Sequence, residues 1–161
     1  MRHWGMRVLL RFTVDIDPDA AWRALHSPRA LAELYGPLLE LEPLTAPPTS
    51  WSSGQDAAVR MTAGGVPFGT QLIAVTDRTV PGPAGDVRIL RDAGAPLTGP
   101  LAALDVWDHQ IAVSAAPGDR TLWRERLVIG GRAAPLLWPS LWATWQWRAR
   151  RIRALAPGWA H

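Results

Sequence analysis

The residues best suited to chemistry lie on two neighbouring segments, Trp107-Asp108-His109 and Thr121-Leu122-Trp123-Arg124-Glu125. Between them Ala116-Pro117-Gly118 supplies turn chemistry for a hairpin. Strand side chains alternate in direction, and residues facing one another across a hairpin keep a constant sum of positions. Centring the turn near residue 117 sets Val113 against Thr121, Ile111 against Trp123, His109 against Glu125 and Trp107 against Leu127. A slip of two in that sum leaves the same residues on the same face. This set is far more apolar than the alternate one of Asp108, Gln110, Arg124 and Arg126, so it is expected to face an interior cavity. A carboxylate beside an imidazole fixes its tautomer and favours its protonated form, while apolar surroundings oppose charging either group. Three roles follow for His109 and Glu125: satisfying each other in a cavity wall, orienting a ligand, or acting as general acid and base on a ligand carbonyl or phenol.

Further candidates surround that pair. Phe68 alternates with Val66, Thr70 and Leu72 as a wall residue, and Tyr35, near a helix end, is placed to gate the cavity. Trp138, Trp142 and Trp145 follow an apolar helical stripe, where they serve the core or touch a ligand, and Trp142 and Trp145 are carried forward as ligand contacts. Trp147 falls off that stripe and is expected to be exposed or to lie at a subunit contact, in which case the assembly is a homodimer. Arg148 borders the stripe and is placed to reach an acidic ligand group. The neighbouring Arg150, Arg151 and Arg153 scatter around a helix C-terminus, where positive charge complements the macrodipole. No aromatic-basic stacking motif accompanies them, so a nucleic-acid partner is not expected.

Other chemistries lack their signatures. Cysteine is absent, which excludes disulfides and thiolate metal sites. Histidines at 3, 26, 109 and 161 have no metal-ligand spacing, Gly64-Gly65 is not a phosphate loop, and no Gly-x-Ser-x-Gly elbow occurs. Neither a metal nor a cofactor is expected. The isoelectric point near 10.8 reflects the high pKa of arginine, because all 17 basic residues are arginine and the formal net charge is only +3.

The elements that must position these residues are legible in outline. Residues 6–14 alternate as a half-buried strand, with Met6, Val8, Leu10, Phe12 and Val14 on one face. Asp17-Pro18 starts a helix, and Ser27-Pro28 divides the segment up to about Leu34 into two short helices. Strand-like runs follow at roughly 38–44, 55–62, 66–77, 86–93, 102–114 and 120–129, joined as antiparallel meanders. From 135 to about 156, Trp138, Leu141, Trp142, Trp145, Ala149, Ile152 and Leu155 keep helical spacing. A one-sided sheet and one long amphipathic helix bury their apolar faces by the sheet curling around the helix. With 161 residues and 48% hydrophobic composition, one α+β domain spanning 1–161 is expected. Met1-Arg2-His3-Trp4-Gly5 leads into an alternating segment, so no signal peptide is expected; no run is long enough to span a bilayer, and a cytoplasmic location is expected.

That order resembles the helix-grip fold of the START, Bet v 1 and polyketide-cyclase superfamily over essentially the whole chain. The resemblance rests on Phe12…Asp17-Pro18…Trp22…Leu25, on Trp51-Ser52-Ser53-Gly54, and on Gly99-Pro100…Trp107-Asp108-His109. It continues through Thr121-Leu122-Trp123-Arg124-Glu125-Arg126-Leu127 into the Trp/Arg-rich final helix. The chain looks like the bacterial ligand-binding branch, in which a Trp-x-His strand precedes a Thr-x-x-x-Asp/Glu-x-Val/Leu strand. The resemblance implies a cavity for a small hydrophobic ligand, lipid-like, aromatic or polyketide-like. It leaves three functions open: carriage of that ligand, a cyclase or dehydratase using His109 and Glu125, and a protein-interaction domain whose cavity is filled by its own tryptophans.

Overall fold

Strand β1 (Met6–Val14) turns Val8, Leu10, Phe12 and Val14 into the core, as its period-two pattern requires. The chain is a computed structural model that describes residues 5–161; the readings taken from Met1 to Trp4 fall outside it. Helix α1 (Pro18–Leu25) begins where Asp17 accepts hydrogen bonds from the backbone N–H groups of Asp19 and Ala20, both at 3.0 Å. Ser27 caps α2 (Pro28–Tyr35) through the N–H of Ala30, so the division at Ser27-Pro28 occurs as predicted.

Seven strands follow: β2 (Glu40–Pro43), β3 (Asp56–Ala63), β4 (Val66–Val80), β5 (Val87–Asp92), β6 (Ala95–Pro96), β7 (Val106–Ala116) and β8 (Arg120–Gly130). Helix α3 (Ala134–Leu155) ends in a 3-10 turn at Ala156–Ala160. All strand pairs are antiparallel, in the order β1-β8-β7-β5-β4-β3-β2, with β6 added beside β4. β4 belongs to both halves of the curved sheet, pairing with β3 and β6 through its first part and with β5 through its last. At the bend Gly69 has φ 138 and lies against the Thr98 carbonyl, where a side chain has no room.

Two boundaries depart from the sequence reading. The run at 102–114 opens later, because Gly99 at φ 84 turns the chain into a 3-10 segment (Pro100–Ala103) ahead of β7. The β7–β8 register is slipped by two from the predicted one. Ala116 pairs with Arg120 across the link Pro117-Gly118-Asp119, where Gly118 (φ 80) and Asp119 (φ 53) take left-handed conformations. His109 therefore faces Leu127, Ile111 faces Glu125 and Trp107 faces Ile129. The inward face is unchanged, since a shift of two preserves side-chain direction.

The dry core lies between α3 and the β1–β8 side of the sheet. Trp123 stacks on Phe12 at 6.3 Å, and Leu127, Ile129, Ala149 and Ile152 close around them. Thr121 donates a 2.7 Å hydrogen bond to the Ile16 carbonyl, tying β8 to the turn that leads into α1. Among the described residues no helix is long and apolar enough to cross a membrane.

Candidate functional site

On the other side of α3 the sheet stands away from the helix and leaves a cavity of about 480 Å³. Its walls come from α2 and the following loop (Leu34, Tyr35, Leu38), from β3 and β4 (Val59, Met61, Phe68, Gln71, Ile73), and from β5 and β7 (Leu90, Asp92, Trp107, His109, Ile111). Leu141, Trp145 and Arg148 of α3, Trp123 of β8 and Trp159 of the terminal 3-10 turn complete it. The volume sits within the range of ordinary small-molecule sites. The tryptophans frame this space without filling it, unlike the collapsed cavity expected of an interaction domain.

One wall is polar and tightly organised. Glu125 is 3% exposed and accepts from three hydrogen-bonding groups through four contacts. His109 Nε2 lies 2.9 Å from Oε2, Trp123 Nε1 donates to Oε1 at 2.9 Å, and Arg148 Nε lies 3.0–3.1 Å from both oxygens. Arg148 Nη1 donates in turn to the Tyr35 hydroxyl at 2.8 Å, and its guanidinium lies over the Tyr35 and Trp145 rings. Burial pushes the Glu125 carboxyl up, but the Arg148 charge and the His109 and Trp123 hydrogen bonds outweigh it and hold the group down at about 2. Burial likewise opposes the Arg148 charge, and Glu125 with Tyr35 reverses the balance and raises its pKa. Burial raises the Tyr35 hydroxyl, so Tyr35 is a neutral donor and acceptor.

With Glu125 ionised, the proton of the shared hydrogen bond belongs to His109 Nε2. In the neutral ring Nδ1 then carries a lone pair. Nδ1 has no hydrogen-bond partner among the described residues and is not among the sealed polar atoms, so it is open to the cavity. Directly across the β5–β7 ladder stands Asp92, on the same face. Its Oδ1 accepts from the backbone N–H groups of Ala74 (2.9 Å) and Gly94 (3.0 Å), which leaves Oδ2 unpaired and likewise unsealed. Gly94 permits this, because its backbone passes against the Leu72 carbonyl with no space for a side chain. Burial raises the Asp92 carboxyl, against the opposing pull of the two backbone N–H groups and His109.

The predicted residues divide cleanly. His109, Trp107, Ile111, Trp123, Phe68, Trp145, Arg148 and Tyr35 line the cavity. Glu125 stands behind them as the anchor of His109, not in the lining. Leu127 is fully buried in the dry core, because the β8 positions beyond Glu125 lie under α3 and away from the cavity. Trp142 is 46% exposed and packs on Trp138: the buried stripe runs through Leu141, Trp145, Arg148 and Ile152, about a quarter turn away. Arg148 gives Nε to Glu125 and Nη1 to Tyr35, which balances its charge within the protein and leaves Nη2 without a partner among the described residues. Trp147 is half-buried against Tyr35. Asp92 and Gln71 were not anticipated. Among the described residues no cluster of His, Asp and Glu is arranged to hold a metal.

Solved structures resemble this one over nearly their whole length. A point mutant of Thalictrum flavum norcoclaurine synthase in complex with a transition-state analogue superposes with a TM-score of 0.66, covering 98% of each chain at 11% identity. A protein from Arthrobacter aurescens gives 0.68 over 94% of this chain and 86% of its own, at 18% identity. Ara h 8.0201 gives 0.62 over 96% and 99%, at 13% identity. The chain has the Bet v 1-like helix-grip fold. At these identities the likeness is one of architecture, and the helix-grip cavity is judged on its own residues. No protein-family model and no curated protein sequence matches the chain.

Proposed function

We propose that this helix-grip chain is a cytoplasmic binding protein for a small, largely apolar, ring-bearing molecule. The observation that carries this reading is the cavity of about 480 Å³, walled by Leu, Ile, Phe and Trp side chains and interrupted by one polar wall at Asp92, His109 and Arg148. Apolar lining with a few convergent polar groups is the usual composition of a small-molecule site. Apolar contact supplies affinity there, and the polar wall sets orientation. Norcoclaurine synthase from Thalictrum flavum, which shares the fold at 13% identity, has been solved in complex with dopamine and hydroxybenzaldehyde, which supports an aromatic occupant. The Trp107-x-His109 and Thr121-x-x-x-Glu125 segments accord with the bacterial ligand-binding branch of this fold.

Native mass spectrometry of freshly purified protein tests the reading. A stoichiometric small molecule retained under gentle ionisation is the expected result. Failure to retain any, together with no response of tryptophan emission to a panel of aromatic probes, would overturn it.

A second reading, proton transfer on the bound molecule in a cyclase or dehydratase reaction, is favoured by the exposed His109 Nδ1 with its Nε2–H held by Glu125. In that reading His109 is the base and Glu125 its anchor, since a carboxyl held at about 2 is too weak a base to exchange protons near neutrality. Turnover lost in His109→Gln, with ligand still bound, distinguishes an enzyme from a carrier.

A further inference from the structure

We infer that the polar wall recognises a neutral hydroxyl group (a phenol, enol or alcohol) on the ligand and rejects a carboxylate. The inference rests on the ligand-binding reading above and adds the chemistry of the recognised group. It follows from the hydrogen-bonding capacity left over once the protein's internal contacts are counted.

The cation of the wall, Arg148, is balanced by Glu125, and Nη2 is its one nitrogen without a partner among the described residues. Both Glu125 oxygens hold Arg148 Nε, and Tyr35 holds Nη1, so the buried guanidinium is neutralised and fixed before any ligand arrives. A ligand carboxylate would bring a third negative charge into a wall that already sets two carboxylates, Glu125 and Asp92, against one arginine. What remains open to the cavity is one donor, Arg148 Nη2, and two acceptors: Asp92 Oδ2, and His109 Nδ1 in the Nε2–H tautomer. The two acceptors belong to directly opposed residues on adjacent strands, whose Cβ atoms stand about 5 Å apart by ladder geometry. No ion pair joins them among the described residues, and both line the cavity.

A second observation separates a hydroxyl from an ammonium group. The indole N–H groups of Trp107 and Trp145 have no acceptor, although both residues are part of the cavity wall. Trp145 stands edge-on to His109, with ring centroids 5.2 Å apart, and Trp107 stands edge-on to Trp145 at 6.2 Å. Both indole N–H groups are sealed from the cavity, so the donor that faces it is Arg148 Nη2. A hydroxyl can donate to Asp92 or His109 and accept from Arg148 at the same time, whereas an ammonium group can only donate.

Isothermal titration with four probes of one shape tests this: 2-naphthol, 2-methylnaphthalene, 2-naphthoate and 2-(aminomethyl)naphthalene. A hydrogen bond to a charged or strongly polarised acceptor leads us to expect 2-naphthol to bind at least about tenfold more tightly than 2-methylnaphthalene, and 2-naphthoate more weakly than either. Asp92→Asn supplies the reversal. The asparagine oxygen stays with the Ala74 and Gly94 N–H groups, which turns its NH₂ toward the cavity and converts an acceptor into a donor. In this variant the naphthol advantage should shrink to less than about threefold and naphthoate should gain. His109→Phe, which removes the other acceptor, should lower the naphthol advantage independently. Equal binding of naphthol and methylnaphthalene, or tightest binding of naphthoate, overturns the inference and leaves the cavity reading standing. Tightest binding of the amine overturns the hydroxyl assignment. Binding of none of the four overturns the cavity reading itself.

Discussion

Arg148→Met removes the guanidinium from the buried network and leaves most of the side-chain stem in place. Arg148 is 2% exposed and Glu125 3%, so neither charge is rescued by water when its partner is lost. Unit charges about 4 Å apart attract by roughly 4 kcal/mol at an effective dielectric of 20. The Glu125 carboxyl is held at about 2 instead of its ordinary 4.5, a net preference for the ionised state on the order of 3 kcal/mol after burial has been subtracted. Both figures agree with the roughly 3–5 kcal/mol lost when one member of a buried ion pair is deleted. Arg148→Met should therefore lower the free energy of unfolding by about 3–5 kcal/mol at pH 7, read from urea denaturation followed by tryptophan fluorescence. In thermal terms that is a fall of roughly 6–20 °C for a chain of this size. The double variant Arg148→Met/Glu125→Gln removes the stranded charge and should be more stable than Arg148→Met alone. The cycle formed with Glu125→Gln should give a coupling energy of about 2 kcal/mol or more. A loss below about 1 kcal/mol in Arg148→Met, or strict additivity of the two substitutions, would refute the claim that this pair organises the wall.

Four other outcomes follow from the same geometry. Because the folded Glu125 carboxyl lies below its ordinary 4.5, its contribution is present above that value and is lost as pH falls toward about 2; acid titration of stability should show this loss in the wild type and not in Glu125→Gln. Asp92 has the opposite sign: its carboxyl is raised, so folding opposes its ionisation relative to the unfolded chain, and Asp92→Asn should gain stability relative to wild type as pH rises through the carboxylate range, measured by denaturation at pH 3 and pH 7. Thr121→Val leaves the buried Ile16 carbonyl without its 2.7 Å hydrogen bond and should cost about 1–3 kcal/mol, whereas Trp142→Gln, at a half-exposed position off the cavity, should change stability by less than about 1 kcal/mol and leave probe binding unaltered.

The architecture was legible because it depends on local rules. Alternation fixed the faces of β1 and β8, Asp17 and Ser27 announced the two helix starts, and the spacing of Leu141, Trp145 and Ile152 gave the inward side of α3. The hairpin predicted that His109 and Glu125 share a face, and a register error of two could not disturb that. Hidden were the features created by distant pairing. Asp92 meets His109 through a ladder closed by a long connection, for which a single sequence offers no register. Arg148 meets Glu125 across the sheet–helix gap, and its place bordering the stripe hinted at a polar contact without revealing an internal one. Trp142 misled because tryptophan is apolar wherever it sits, and a helix boundary of the buried stripe shifts by one residue without leaving a mark on composition.

The placement of Arg148 decides more than stability. A guanidinium in the wall of an apolar cavity would ordinarily attract an anionic ligand, and this one is prevented from doing so by a carboxylate that meets it through both oxygens. Glu125 then has its charge balanced by Arg148 and still accepts from His109 Nε2. The hydrogen bond to Glu125 fixes the Nε2–H tautomer of the imidazole, and its other nitrogen faces the cavity. The loss of Arg148 would remove the positive charge of the wall and leave Glu125 and Asp92 unbalanced against an acidic ligand. Arg148→Met, titrated with 2-naphthol and 2-naphthoate under conditions where it remains folded, should therefore widen the gap between the two probes relative to wild type. An unchanged ratio would mean that the wall selects its ligand by shape alone.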